Sequence, residues 1–251
     1  MDNELRGQER LDDLQIGGYE IIQDPGRFCF GMDAVLLSGF AKATEKDTVL
    51  DLGCGNGVIP ILLAAKTKSP KIYGLEIQPE NVDMAVRSVK HNGLEARIEI
   101  CEGDIKEASA MFGAGAMDVI TTNPPYMIAK HGLVNPNEAK AIARHEILCN
   151  LEDVVRESSK LLRSGGHFYM VHRPFRLTDI LCLMRQYRME PKRLRMVYPF
   201  ADKEPTMVLI EGLRDGNPGV KTEAPLIIYE TQNQYSKDIL EIYEKGGEER
   251  T

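Results

Sequence analysis

The sequence has no tryptophan, few aromatic residues of any kind (6%), and no long apolar run. The last absence excludes a membrane-crossing helix, which needs about 18 or more consecutive apolar residues. Met1 to Arg10 is charged, with no apolar stretch behind it, so a secretory signal is not expected and the cytosol is the expected address. Five cysteines (Cys29, Cys54, Cys101, Cys149, Cys182) show no CxxC spacing. An odd, scattered set argues for reduced thiols and against a disulfide frame or a zinc site. The histidines His91, His131, His145, His167 and His172 also lack ligand spacing, so no metal is expected. Positive charge is not in excess either. The net charge of −7 argues against a generally basic nucleic-acid coat protein.

What is present is an ordinary globular composition, 43% hydrophobic and 27% charged over 251 residues, enough for one large domain with modest additions. After a charged start, "LQIGGYEIIQDPGRF" reads as a short extended hairpin with turns at Gly17-Gly18 and Asp24-Pro25-Gly26. "GMDAVLLSGFAKA" then has helical spacing, and from there strands and helices alternate. "TVLDLG", "KIYGLEI", "RIEICEGD", "MDVITTNPPY" and "HFYMVH" read as strands. "VIPILLAAK", "PENVDMAVRSVKHNG", "LEDVVRESSKLLRSGG" (closed by Gly165-Gly166) and "LTDILCLMRQYR" read as the helices between or after them. "KRLRMVYPF" and "PTMVLIEGLR" follow as a strand pair. This alternation predicts an α/β fold: a doubly wound, mostly parallel seven-stranded sheet ending in an antiparallel C-terminal hairpin. The expected divisions are an N-terminal extension (1–27), the main domain (28–214) and a C-terminal tail (215–251) whose end is loose. A monomer is favoured.

"VLDLGCGNG" places Asp51, Gly53, Gly55 and Gly57 between a strand and a helix. Glycines let the backbone turn sharply and approach a ligand closely. The pattern is DxGxGxG and not GxGxxG, and an acid at the strand end suits a ligand with an ammonium group and no pyrophosphate. S-adenosylmethionine has that character; the bland alternative is a tight turn only. Glu76 ends the next strand and can accept both ribose hydroxyls, as the acid of dinucleotide sites does. Asp104, after the third strand, is placed to bind the adenine amino group. Cys54, inside the turn, is expected to be a small buried residue.

"DVITTNPPY" is an apolar strand stopped by two prolines, which fix the backbone and hold Asn123 rigidly. The Asn123 side-chain oxygen and the Pro124 carbonyl are two acceptors at a fixed separation, suited to the two protons of an NH₂ group. Pro125 locks the turn, and Tyr126 can stack on a planar base. Such a site catalyses by positioning, with no general base required.

These stretches resemble the class I methyltransferases that modify exocyclic or amide nitrogens. "RFCFGMDAVLLSGFA" before the glycine turn and "ARHE" (Ala143 to Glu146) after it are, more narrowly, similar to the tRNA1(Val) adenine-N6-methyltransferase family, over roughly residues 11–212. That resemblance implies a Rossmann-like fold, S-adenosylmethionine as cofactor, and methylation of the adenine on the 3′ side of a valine tRNA anticodon. The cofactor set it implies is Phe30, Gly31, Asp33, Asp51, Gly53, Gly55, Gly57, Glu76, Ile77, Asp104, Ile105 and Asn123. Asn123, Pro124, Pro125 and Tyr126 would hold the target. The NPPY run is shared with enzymes that methylate a protein glutamine, so protein glutamine and rRNA guanine stay open as substrates. A catalytically silent RNA scaffold stays open as well.

For RNA contact, the 172–195 segment holds seven Arg/Lys against two acids, a local +5 on an acidic chain. The expected contacts there are Arg173, Arg185, Arg188 and Arg193, with a solvated helix face as the alternative. Lys130, Arg144 and His145 belong to, or follow, a long irregular loop that also holds His131; a lid or RNA-contact element over a flipped base is one reading, and a helix start with a charged face at Arg144 to Glu146 is the alternative.

Overall fold

The computed structural model describes residues 5–27, 29–124 and 149–244. The alternating pattern folds as expected. The long strands are β3 (Thr48–Leu52), β4 (Lys71–Glu76), β5 (Ile98–Glu102), β6 (Met117–Thr122), β7 (Leu162–His172), β8 (Met189–Tyr198) and β9 (Met207–Arg214). They lie in the order β8-β9-β7-β6-β3-β4-β5. β9 runs antiparallel to both neighbours, and the other pairings are parallel. Two short strands, β10 (Lys221–Thr222) and β11 (Leu226–Ile227), pair with β8 and bring the sheet to nine.

Period-two alternation sends successive side chains to opposite faces, and each face has its own core. Val49, Val119, Tyr169 and Leu209 pack on one side with α1 (Met32–Phe40), α2 (Val58–Lys66) and Val89 of α3 (Pro79–His91). Leu50, Ile120, Phe168 and Ile210 pack on the other with α4 (Ala108–Phe112), α5 (Leu151–Leu161) and α6 (Leu177–Gln186). The helices therefore cover both faces, as a parallel sheet requires.

Sequence signals set several boundaries. Pro79 occupies the first turn of α3, where its missing N–H costs nothing, and Gly93 at φ +66 follows its end. Asn150 and Asp153 form a reciprocal capping box at the start of α5. One boundary differs from expectation. Helix α5 ends at Leu161, and Gly165-Gly166 lie in the irregular opening of β7. Leu162 already pairs with Met117, so cross-strand pairing takes the chain out of the helix before the glycines are reached. A Cβ on Gly166 would stand 3.1 Å from the Asp118 carbonyl oxygen, so the glycine allows this close approach.

At the N-terminus the hairpin forms from β1 (Arg10–Asp13) and β2 (Glu20–Gln23). Ser88 Oγ of α3 accepts from the Ile22 amide, and Asn56 of the glycine turn donates to the Ile22 carbonyl. The extension thus braces the loop it precedes.

The segment after 214, expected as a tail, is mostly exposed but is anchored to the domain at a few positions. Leu226, Ile228 and Ile239 are buried in the α1-side core. A small hairpin, β12 (Tyr229–Thr231) with β13 (Gln234–Tyr235), stacks Tyr229 on Tyr235 at 5.3 Å between ring centroids. Helix α7 (Lys237–Glu244) closes on α1 where Gly39 leaves room: a Cβ there would lie 2.8 Å from Ile242. Strands of two or three residues have too little periodicity to be read from sequence. No helix among the described residues is long and apolar enough to cross a membrane.

Candidate active site

The chain runs β3→β4→β5 in one direction and returns to place β6 on the other side of β3. Where strand order reverses, the loops after the two central strands part and leave a crevice. The glycine turn follows β3 and Asn123-Pro124 follow β6. Register places Asp51 opposite Thr121 and Leu52 opposite Thr122, so Gly53 and Asn123 leave the sheet at the same level. The two sequence motifs therefore meet at the switch point.

The glycine turn is held from behind. The amides of Gly53 and Cys54 both donate to the Leu75 carbonyl, at 2.9 and 3.0 Å. Glu76, only 6% exposed, accepts from Gly55 N through Oε2 and from Gln78 N through Oε1, both at 2.9 Å. Gly55 sits at φ +56, and a Cβ there would meet nothing within 4 Å, so its front faces open space. Gly57, at φ +87, lets α2 start against α3, with Ala85 Cβ 3.1 Å from where its own Cβ would be. The space in front of Gly53 and Gly55 is therefore open or nearly so, whereas Gly57 is backed by Ala85 of α3.

Asp51 is completely buried. Its Oδ1 accepts from Thr121 Oγ1 at 2.7 Å, and its Oδ2 has no hydrogen-bond partner among the described residues. Burial pushes its carboxyl up to about 7, opposed by the Thr121 bond and assisted by the nearby Glu76 charge. A buried carboxylate oxygen with no donor is costly unless something completes it. Thr121 was not expected in the site. Its signal is a hydroxyl inside an otherwise apolar strand, in register with an acid. Burial also raises the Cys54 thiol well above its ordinary range, as expected of a packed cysteine.

The remaining cofactor-side residues fall around this turn. Asp104 caps a short 3₁₀ turn, its Oδ1 accepting from Lys106 N at 2.9 Å, and its Oδ2 is 3.5 Å from Lys106 Nζ. Ile77 and Ile105 are half-buried beside Glu76 and Asp104. Phe30 donates its amide to the Gln23 side chain at 2.8 Å and packs on the α1-side core. Gly31 caps α1, and Asp33 Oδ1 accepts from Ala34 N. Asn123 is half-buried and Pro124 buried. Pro125, Tyr126, Lys130, His131, Arg144 and His145 lie outside the described residues.

The basic segment does not form one surface. Helix α6 runs back from the carboxyl end of β7 and carries Arg185 and Arg188 to the opposite end of the sheet. There Arg185 is 3.4 Å from Glu190 and Arg188 is 2.9 Å from Asp215. Arg193 turns inward, bonded to Glu211, Glu223 and the Phe40 carbonyl, with its guanidinium 4.0 Å over the Phe40 ring. Of the four arginines expected to contact RNA, only Arg173 is at the site end, where it donates to the Thr206 carbonyl at 2.9 Å.

The family model described as the methyltransferase small domain matches residues 18–186, most of the chain. The chain belongs to the methyltransferase small domain family. Among relatives of this family member, the tRNA1(Val) (adenine(37)-N6)-methyltransferase of Porphyromonas gingivalis is 30% identical, covering 90% of this chain and 91% of its own. The enzyme of the same name from Parabacteroides distasonis is 28% identical over 91% and 94%. A solved structure from Agrobacterium tumefaciens, described as a predicted O-methyltransferase, superposes with a TM-score of 0.71 at 21% identity, covering 86% of this chain and 97% of that one. At that identity the likeness concerns fold.

The methyl donor of this family member is S-adenosylmethionine. The residues fit it: an orphaned carboxylate oxygen for its ammonium group, open glycine backbone, and a strand-end glutamate for its ribose. If Asp51 holds the cofactor's ammonium group, its ionised form is the one that pairs, and cofactor affinity is expected to rise as pH increases through about 7. Titration calorimetry against pH checks this, and Asp51→Asn should flatten the profile. Glu76→Ala should weaken cofactor binding by about tenfold to a hundredfold, the value of hydrogen bonds to a charged group. Unchanged affinity would remove Glu76 from the site.

Proposed function

We propose that this methyltransferase acts on the exocyclic N6 amino group of an adenine in tRNA, the anticodon-loop adenine of a valine tRNA. The observation that carries the reading is the placement of Asn123-Pro124 at the switch point, level with Gly53 and just beyond the Asp51–Thr121 pair. The names of the full-length relatives support the choice of substrate.

When bound, the cofactor supplies an electrophilic methyl group with a good leaving group, the thioether of S-adenosylhomocysteine. The protein's part is positional. Asp51 and Glu76, with the glycine backbone, hold the donor at the carboxyl end of β3. The side-chain oxygen of Asn123 and the carbonyl of Pro124 accept the two N–H bonds of the amino group. That grip draws the nitrogen lone pair out of conjugation and aims it along one direction. Because Pro124 is buried, its carbonyl is a fixed reference point. Tyr126 would stack on the base, and Lys130, Arg144 and His145 would meet the RNA around it. The nitrogen gives up its proton to solvent after transfer, so no residue with a shifted basicity is needed. Fixing both partners converts a bimolecular reaction into an effectively unimolecular one. A tRNA substrate implies the cytosol as the working compartment.

The test is incubation with tritiated cofactor and, separately, total tRNA, total rRNA and a protein lysate. Label in tRNA at N6-methyladenine supports the reading. Label confined to rRNA or protein replaces it, and no label in any pool points to a scaffold.

A further inference from the structure

Aromatic side chains in a folded domain are ordinarily drawn inward, and the described residues follow that rule with one exception. Phe175 is 63% exposed, and no other aromatic among them is classed as exposed. It is held in place by its neighbours: Pro174 restricts the backbone, and Arg176 N donates to the Arg173 carbonyl at 3.1 Å, closing the 3₁₀ turn 174–176. The ring therefore projects from a rigid turn that leads directly into α6.

Its position relates it to the site. Thr122 of β6 pairs with Met170 of β7, which puts Pro124 level with His172. Neighbouring strands lie about 4.8 Å apart and a chain advances at most about 3.5 Å per residue, so Phe175 lies within roughly 15 Å of Pro124. That span is a few nucleotides of single-stranded RNA. Two arginines flank the ring. Arg173 donates to the Thr206 carbonyl at 2.9 Å, and Arg176 pairs with Asp179 at 2.8 Å, so each guanidinium is tethered within three residues of the ring along the chain.

We propose that Phe175 is a stacking platform for a nucleobase adjacent to the target adenine, with Arg173 and Arg176 supplying the positive field for the neighbouring phosphates. The inference rests on the RNA reading above and extends it to a residue that no sequence motif marks. Every base has a π-face, so a planar ring beside cations grips single-stranded RNA wherever the target has been pulled out of its stack. A second copy of the chain is the less suitable occupant. A lone ring with Thr178 and Asp179 exposed beside it is far smaller than the apolar centre of a stable dimer.

The experiment compares wild type with Phe175→Ala and Phe175→Tyr on a valine-tRNA anticodon stem-loop, measuring steady-state methyl transfer. Phe175→Ala should raise KM for RNA by about tenfold to a hundredfold, with kcat and cofactor affinity nearly unchanged. Phe175→Tyr, which keeps the ring, should restore KM. With 2-aminopurine placed on either side of the target adenine, wild type and Phe175→Tyr should quench its fluorescence on binding, and Phe175→Ala should not. An unchanged KM in Phe175→Ala, or a loss that Phe175→Tyr does not repair, overturns the proposal. So does a change of sedimentation behaviour in Phe175→Ala without RNA, which would assign the ring to self-association. A wild-type protein inactive on tRNA but active on rRNA or protein overturns the RNA reading itself, a result distinct from a failure at Phe175.

Discussion

Asn123→Ala is expected to lower methyl transfer at saturating substrate and saturating cofactor by a factor of about 10² to 10³ or more. Asn123 leaves β6 level with Gly53, and Pro124 behind it is buried, so the asparagine cannot be replaced by a small shift of its neighbours. Removing the side-chain oxygen leaves one of the two N–H bonds of the substrate unheld. The lone pair then returns to conjugation with the ring, and the nitrogen loses its alignment with the methyl carbon. A group that acts only on the reacting geometry should depress kcat and kcat/KM together. Asn123→Asp keeps an acceptor at the same position and should retain more activity than Asn123→Ala. Single-turnover kinetics with bound labelled cofactor reads the step directly. Persistent transfer in the alanine variant would remove Asn123 from catalysis and leave the strand-end prolines as a purely structural device.

Much of this site is legible in the sequence because its parts are local. The glycine turn, the strand-end Glu76 and the proline stop after Asn123 each carry their geometry in a few adjacent residues. The fold is legible for the same reason, since the strand–helix alternation spans whole elements. What the sequence does not show depends on register and on chain reversal. Thr121 matters because it stands opposite Asp51 across two strands that lie 70 residues apart. Arg185, Arg188 and Arg193 look like neighbours of Arg173 along the chain. A ten-residue helix, however, separates them by about 15 Å at 1.5 Å per residue, and strand alternation turns Arg193 inward. Phe175 has no motif at all; only its exposure distinguishes it from the other aromatics. The segment after 214 reads as a tail because its strands are short, yet Leu226, Ile228 and Ile239 complete a core whose other members lie far earlier in the chain.

Arg193 is where the sequence and structural readings diverge most, and its replacement should unsettle the fold before it affects RNA binding. Its guanidinium bonds Glu211, Glu223 and the Phe40 carbonyl, and Glu211 also accepts from His167 Nδ1 at 2.9 Å and Tyr169 OH at 3.3 Å. The two side chains of the central pair are 17% and 10% exposed. Breaking a buried pair from one side strands the other charge, a loss of about 3–5 kcal/mol. At about 2–4 °C per kcal/mol for a chain of this size, Arg193→Ala should lower Tm by roughly 10 °C. The pH dependence identifies the cause. Burial alone would raise the Glu211 carboxyl, but the bonds from His167 and Arg193 outweigh it and hold it down at about 2. A depressed carboxyl contributes stability that is complete above its ordinary value of 4.5 and fades as pH falls towards 2. The gap in Tm between wild type and Arg193→Ala should therefore be widest near neutrality and narrow below about pH 4.5. Replacing both partners, as Arg193→Met with Glu211→Gln, should recover much of the stability because no buried charge is left unpaired. Thermal melts across pH decide it. A gap that stays constant down to pH 2 would mean that Arg193 stabilises by its packing over Phe40 and not by its charge.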